Sequence, residues 1–130
     1  MPDDHTVALG PFLTCRVGRT SDIAVVALFG EFDLAAEEPV RSLVNDVEAT
    51  DPRALVMDLA GLTFLDSSGA RALIDVHHRS LGLRPFAVVR GTGPAHRALT
   101  MMGIDELLTM ISSVDELSDG SSTGGAEAAR

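Results

Sequence analysis

The stretch from Ala54 to Leu81 constrains the fold of this chain more than any other, because its apolar period changes within a few residues. Ala54-Leu55-Val56-Met57-Asp58-Leu59 is an apolar run of strand length, and from about Ser68 to Leu81 the residues Ala72, Leu73, Ile74 and Val76 follow a helical pattern. Between the two stands Phe64-Leu65-Asp66-Ser67-Ser68-Gly69-Ala70. Two small hydroxyls and a glycine at a strand-to-helix junction imply free backbone N–H groups and a candidate helix cap at the surface. A helix N-terminus attracts negative charge, so a serine hydroxyl there is well placed to carry a phosphate. Serine and aspartate are also ordinary N-caps, and a purely structural role would account for the same residues.

The remaining segments extend this strand-then-helix pattern. Residues 1–11, with two prolines, two aspartates and a glycine, read as a loose lead-in. Phe12 to Val17 and Ile23 to Phe29 are strand-like and flank a turn at residues 18–22, which predicts a β-hairpin. Gly30-Glu31-Phe32-Asp33 ends the second strand, and Asp33 caps or precedes a helix with Pro39 in its first turn. In that helix Val40, Leu43, Val44 and Val47 form a buried stripe, and Asp51-Pro52 breaks it. Phe86 to Val89 is a short strand, Pro94 starts a helix that Gly103 ends, and Leu107 to Ile111 reads as a last strand before a short helix at Ser113–Leu117. Residues 118–130 offer almost nothing to bury and are expected to be disordered. The predicted fold is α/β, one domain over 12–117. It has a mixed sheet of four to five strands with helices packed on it, in the order β-β-α-β-α-β-α-β-α.

Composition narrows the function. With 130 residues and 45% hydrophobic content the chain can bury a core without staples. A single cysteine, Cys15, excludes an internal disulfide and fits a reducing cytosol; it reads as a small buried strand residue. The acidic Asp3 and Asp4 and the lack of any long apolar run indicate neither export nor a membrane span. All ten basic residues are arginines. Without lysine there is no P-loop and no Schiff base, and a response-regulator receiver, which resembles this chain in size, is disfavoured. A net charge of −9 argues against nucleic acid or anionic membrane as partners. Residues 67–104 nevertheless carry only Asp75 against Arg71, Arg79, Arg84, Arg90 and Arg97, a local bias that fits a site meeting phosphate or an acidic partner.

Catalytic readings find little support. An α/β hydrolase serine wants glycine two residues before and after it, but Ser67 has Leu65 and Gly69. His77 and His78 are adjacent in a helix, pointing about 100° apart, so they make a poor metal pair. They also lie ~15 Å along the helix from Ser67. Gly91-Thr92-Gly93 lacks the third glycine of a dinucleotide loop, since His96 stands there. No enzyme, metal or cofactor is expected.

Asp58-Leu59-Ala60-Gly61-Leu62 followed by Phe64-Leu65-Asp66-Ser67-Ser68-Gly69, together with Gly30-Glu31-Phe32-Asp33, resembles the signature of the STAS family, in particular the bacterial anti-sigma factor antagonists. The resemblance implies a mixed sheet with packed helices and a cytoplasmic regulatory protein. It implies that Ser67 is the phosphorylated serine and that Asp33, Asp66, Ser68 and Gly69 border the partner surface with it. The implied partner is an anti-sigma factor with serine-kinase activity, which would hold the ATP; a serine phosphatase would reverse the modification. STAS-like domains that serve as scaffolds of signalling assemblies or accessory subunits of transporters, unphosphorylated, form the alternative. Asp33 is expected to contact the partner rather than hold the fold, with a helix cap as its other reading. Family antagonists commonly have Leu-Gly where this chain has Ala70-Arg71. Arg71, four residues after Ser67, can reach back over the helix mouth to a phosphate, or pair with Asp75.

Overall fold

The computed structural model describes residues 5–118. Six strands form one sheet in sequence order. β1 (His5–Ala8), β2 (Leu13–Thr20) and β3 (Ile23–Phe32) are antiparallel; β4 (Ala54–Leu65), β5 (Phe86–Val89) and β6 (Met110–Ile111) continue parallel to β3. The helices are α1 (Glu37–Ala49), α2 (Ser67–Ser80), α3 (Pro94–Met101) and α4 (Asp115–Ser118), with 3-10 turns at Leu34–Ala36 and Ile104–Glu106. The predicted mixed sheet and its order hold, with one strand more than the four to five expected. The extra strand is β1, inside the segment read as a loose lead-in. Its backbone pairs with β2 from His5↔Val17 to Ala8↔Thr14, and Leu9 beyond it is buried, so ladder hydrogen bonds hold a stretch that its composition left open. The tail expected to be disordered lies, from residue 119, outside the described residues.

The β2–β3 turn is tighter than the five residues predicted. Ser21 and Asp22 both adopt positive φ, 50° and 63°, as a two-residue hairpin of the primed type requires. β4 is twice the length of the predicted Ala54–Leu59 strand. Opposite β3 its register slips twice, between Ala27↔Asp58 and Phe29↔Gly61 and again between Gly30↔Leu62 and Glu31↔Phe64, leaving extra residues on β4 each time. Asp58 serves the first irregularity by accepting the Ala60 N–H at 3.0 Å. Toward the carboxyl end, the predicted strand Leu107–Ile111 keeps only Met110–Ile111, because Leu107 and Leu108 still donate their N–H groups to the Ile104 carbonyl of the preceding 3-10 turn.

The core lies between one face of the sheet and the helices. Val26 and Leu28 of β3, Leu55, Met57 and Leu59 of β4, and Val88 of β5 meet Val40, Val44 and Val47 of α1, Leu73 and Val76 of α2, and Leu99 of α3. The opposite face carries a smaller cluster, Ile23, Ala54, Val56, Ala87, Val89 and Ile111, on which Val114, just before α4, and Leu117 of α4 pack. His77 is half-buried and His78 exposed, as their positions on the helix suggest.

Cys15 is fully buried in β2. Burial pushes its thiol above the ordinary value, outweighing the opposite pull of a backbone hydrogen bond with Val7. The native protein is therefore expected to react with a thiol reagent at least about a hundredfold more slowly than the denatured chain, since opening must come first. Because the folded thiol keeps its proton to higher pH than the unfolded one, its share of stability is lost as pH rises above about 8.5. A labelling time course with and without urea checks the first point; equal rates would place Cys15 at the surface.

Candidate functional site

β3 and β4 end together. Phe32 pairs with Leu65, both strands stop there, and each is followed by an aspartate and a helical turn. Asp33 accepts the N–H of Ala35 at 3.1 Å and caps the 3-10 turn that leads into α1. Asp66 accepts the N–H groups of Ser68 at 2.8 Å and Gly69 at 3.3 Å and caps α2. The backbone N–H of Asp66 donates to the Phe32 carbonyl at 3.3 Å, so the two caps sit side by side on the sheet's carboxyl edge. Two carboxylates can share that edge because each faces amides at the start of a helical turn.

This geometry corrects two expectations. The cap of α2 is Asp66, and the helix begins at Ser67 rather than Ser68. Asp66 already holds the amides that a phosphate on Ser67 was expected to find free. Asp33, expected to act on the partner rather than the fold, is a cap as well. Replacing each aspartate with alanine should separate their structural weights. Asp66→Ala, losing two charge-assisted bonds, is expected to cost about 1–2 kcal/mol, and Asp33→Ala, losing one in a single turn, about 0.5–1 kcal/mol. Urea denaturation of both variants checks the order, and an Asp33→Ala loss exceeding that of Asp66→Ala would overturn it.

The two serines are sorted by the first turn of α2. Ser68, Gly69 and Ala70 are buried against the core, while Ser67 is exposed. Gly69 is tightly fitted: a Cβ there would lie 3.0 Å from Leu65 and 3.1 Å from Phe32, so those side chains would have to give by a few tenths of an ångström. The small residues after Ser67 thus let α2 settle onto the ends of β3 and β4, and the Ser67 hydroxyl stays in solvent.

Arg71 does not pair with Asp75. Its Nη1 lies 3.5 Å from Glu37 Oε2 at the start of α1, while Asp75 approaches Arg41 Nη1 at 3.7 Å. Arg41 also contacts Glu37, at 3.4 Å. Of the other arginines in the locally basic segment, Arg79 and Arg84 behave alike, whereas Arg90 and Arg97 do not turn to α1. Arg79 binds Glu48, Arg84 binds Asp51 and the Pro52 carbonyl, and Arg90 binds Ser112. Much of the charge bias expected to face outward therefore fastens α2 and the following turn to the acidic α1 region.

Sequence reasoning missed Glu37, and also the exposed apolar residues that adjoin the caps: Phe12, Leu34 and Phe64. Leu34 follows Asp33 directly, Phe64 stands opposite Glu31, and the Phe12 carbonyl accepts the Glu31 N–H at 2.8 Å. The only sequence signal was their position beside the two motifs, since apolar residues next to strand ends read as core.

Comparison with known proteins identifies the fold and the family. The model of the STAS domain family matches residues 15–117. The anti-sigma-F factor antagonist RsfB of Mycobacterium tuberculosis H37Rv is 28% identical over 104 residues, covering 80% of this chain and 85% of RsfB. The crystal structure of an anti-sigma factor antagonist from Mycobacterium paratuberculosis superposes with a TM-score of 0.76 at 28% identity, over 85% of this chain and 95% of that one. The unphosphorylated form of the anti-sigma factor antagonist SpoIIAA shares the fold, with a TM-score of 0.65 at 16% identity over 81% and 96% of the two chains. With its family model spanning both motifs and the whole of β3 through α3, the chain belongs to the STAS domain family.

Proposed function

We propose that this protein is a cytoplasmic anti-sigma factor antagonist that works by binding, with no catalysis of its own. The unphosphorylated form docks on an anti-sigma factor with serine-kinase activity and so releases a sigma factor. That partner holds the ATP and phosphorylates Ser67, which ends the complex; a serine phosphatase restores the binding form. The docking edge comprises Asp33, Asp66, Ser67, Ser68, Gly69 and Arg71, with Leu34 and Phe64 as its apolar contacts. Similarity to RsfB and to the paratuberculosis antagonist supports the role.

The observation that carries the reading is the division of labour at the start of α2: Asp66 does the capping, so the exposed hydroxyl of Ser67 is left without a structural task. Such a serine can be modified without dismantling the fold, and modification places about −1.5 to −2 charges in the middle of the docking edge. The deciding experiment is incubation with ATP and kinase-fold anti-sigma factors from the same genome, with phosphopeptide mapping. Phosphate on Ser67 together with loss of the complex is the expected result. A stable complex with no phosphate transfer to any residue would overturn the phosphoswitch in favour of an unphosphorylated scaffold.

A further inference from the structure

A phosphate on Ser67 would enter a place short of positive charge. The amides of Ser68 and Gly69 are taken by Asp66, whose carboxylate would stand next to the phosphate. The charged groups at this edge are Asp66, Asp33, Glu31, Glu37 and Glu38 on one side of the balance and Arg71 and Arg41 on the other. Arg71 is one helical turn beyond Ser67 on the same face of α2, and its side chain is 58% exposed and free to rotate. Arg41 is less available, lying among Glu37, Glu38 and Asp75.

In the structure Arg71 is spent on Glu37, a carboxylate only 17% exposed. That contact joins the second turn of α2 to the first turn of α1, the helix that follows Asp33 and Leu34. Withdrawing Arg71 would not strand Glu37 without a cation, because Arg41 Nη2 remains at 3.4 Å from the same oxygen. Arg71 can therefore change partners by side-chain rotation alone. A phosphate of nearly two charges is the stronger competitor for a guanidinium.

From this we infer that Arg71 is a shared cation, held by Glu37 in the unphosphorylated protein and transferred to the phosphate when Ser67 is modified. Glu37 thereby sets how strongly the phosphorylated state is stabilised, and phosphorylation releases the tie between α1 and α2 beside the docking edge. The inference rests on Ser67 being the modified residue. Its test does not depend on any kinase, because phosphoserine can be incorporated at position 67 during translation.

The experiment follows the second ionisation of that phosphate by phosphorus NMR in the parent, Arg71→Gln, Glu37→Gln and the double variant. Arg71→Gln is expected to raise the phosphate pKa by about 0.2–0.7 unit, the range of an exposed ion pair. Glu37→Gln is expected to lower it, by freeing Arg71 and removing a negative charge, and this lowering should shrink in the double variant. An unchanged pKa in Arg71→Gln would overturn the transfer. So would an equal Glu37→Gln effect with and without Arg71, which would leave Glu37 acting only as a nearby charge. If the phosphate titrates as expected but no kinase-fold partner modifies Ser67, the proposed function fails and the shared arginine stands.

Discussion

Gly30→Ala is expected to destabilise the protein by about 3 kcal/mol or more and to lower its melting temperature by about 10 °C or more. Gly30 has φ of +107°, a conformation that costs a side-chain-bearing residue heavily, and a Cβ built there falls on the carbonyl oxygen of Phe12. Neither problem relaxes cheaply. The Phe12 carbonyl is fixed by the Glu31 N–H at 2.8 Å, and the Gly30 carbonyl accepts the Thr63 hydroxyl at 3.2 Å from β4. Moving Gly30 would disturb both neighbours of β3 where the register slips. Because Asp33 lies only three residues on, the variant should also lose partner binding. Gly10→Ala is the control: nothing lies within 4 Å of its Cβ, and its stability should stay within about 0.5 kcal/mol of the parent. Thermal unfolding followed by circular dichroism checks the pair. A Gly30→Ala melting temperature within about 2 °C of the parent would mean the strand end tolerates what its geometry forbids.

The same glycine shows what the sequence could convey. Gly30-Glu31-Phe32-Asp33 was recognisable as a landmark, but its physical reason, a positive φ beneath the Phe12 carbonyl, depends on a contact between segments 18 residues apart. The helices were legible because their apolar residues recur at helical spacing: Val40, Val44 and Val47 are buried in α1, and Leu73 and Val76 in α2, as that spacing requires. Pro94 and Gly103 marked the ends of α3 through backbone chemistry that is local. β1 was illegible because Thr6-Val7-Ala8 is too short and mild to signal a strand without the partner that pairs it. The second half of β4 was missed for a related reason: Ala60, Gly61 and Thr63 spoil the period where the bulges fall.

The site divides along the same line. Ser67, Asp66 and Asp33 stood in recognisable motifs, yet which of Asp66 and Ser67 caps the helix depends on one residue of phase, and element ends are uncertain by that much from sequence. Arg71 departs from the family pattern in the sequence itself, but helical spacing offers it only neighbours on its own helix, such as Asp75. Glu37 comes from the preceding helix, brought there by the crossover between β3 and β4, and no local rule would have named it.

Phosphorylation of Ser67 is expected to weaken binding to the kinase-fold anti-sigma factor by about a hundred- to a thousandfold. That range corresponds to roughly 3–4 kcal/mol, the lower part of the cost of leaving a buried charge uncompensated at an interface. The penalty is not softened by the helix N-terminus, as an open anion site there would allow, because Asp66 fills it and adds its own negative charge. Arg71 can offset only part of it from its exposed position. Ser67→Ala separates charge from structure. Since Asp66 is the cap, the variant should keep its stability within about 0.5 kcal/mol, accept no phosphate and bind the partner whether or not ATP is present. Calorimetric titration of the partner with parent, phosphorylated and Ser67→Ala protein measures all three affinities, with thermal unfolding as the control. Equal affinity of the phosphorylated and parent proteins would remove Ser67 from the interface. A phosphate found on Ser68 would require the first turn of α2 to open, because that serine is only 6% exposed, and would shift the mechanism from charge repulsion to local unfolding.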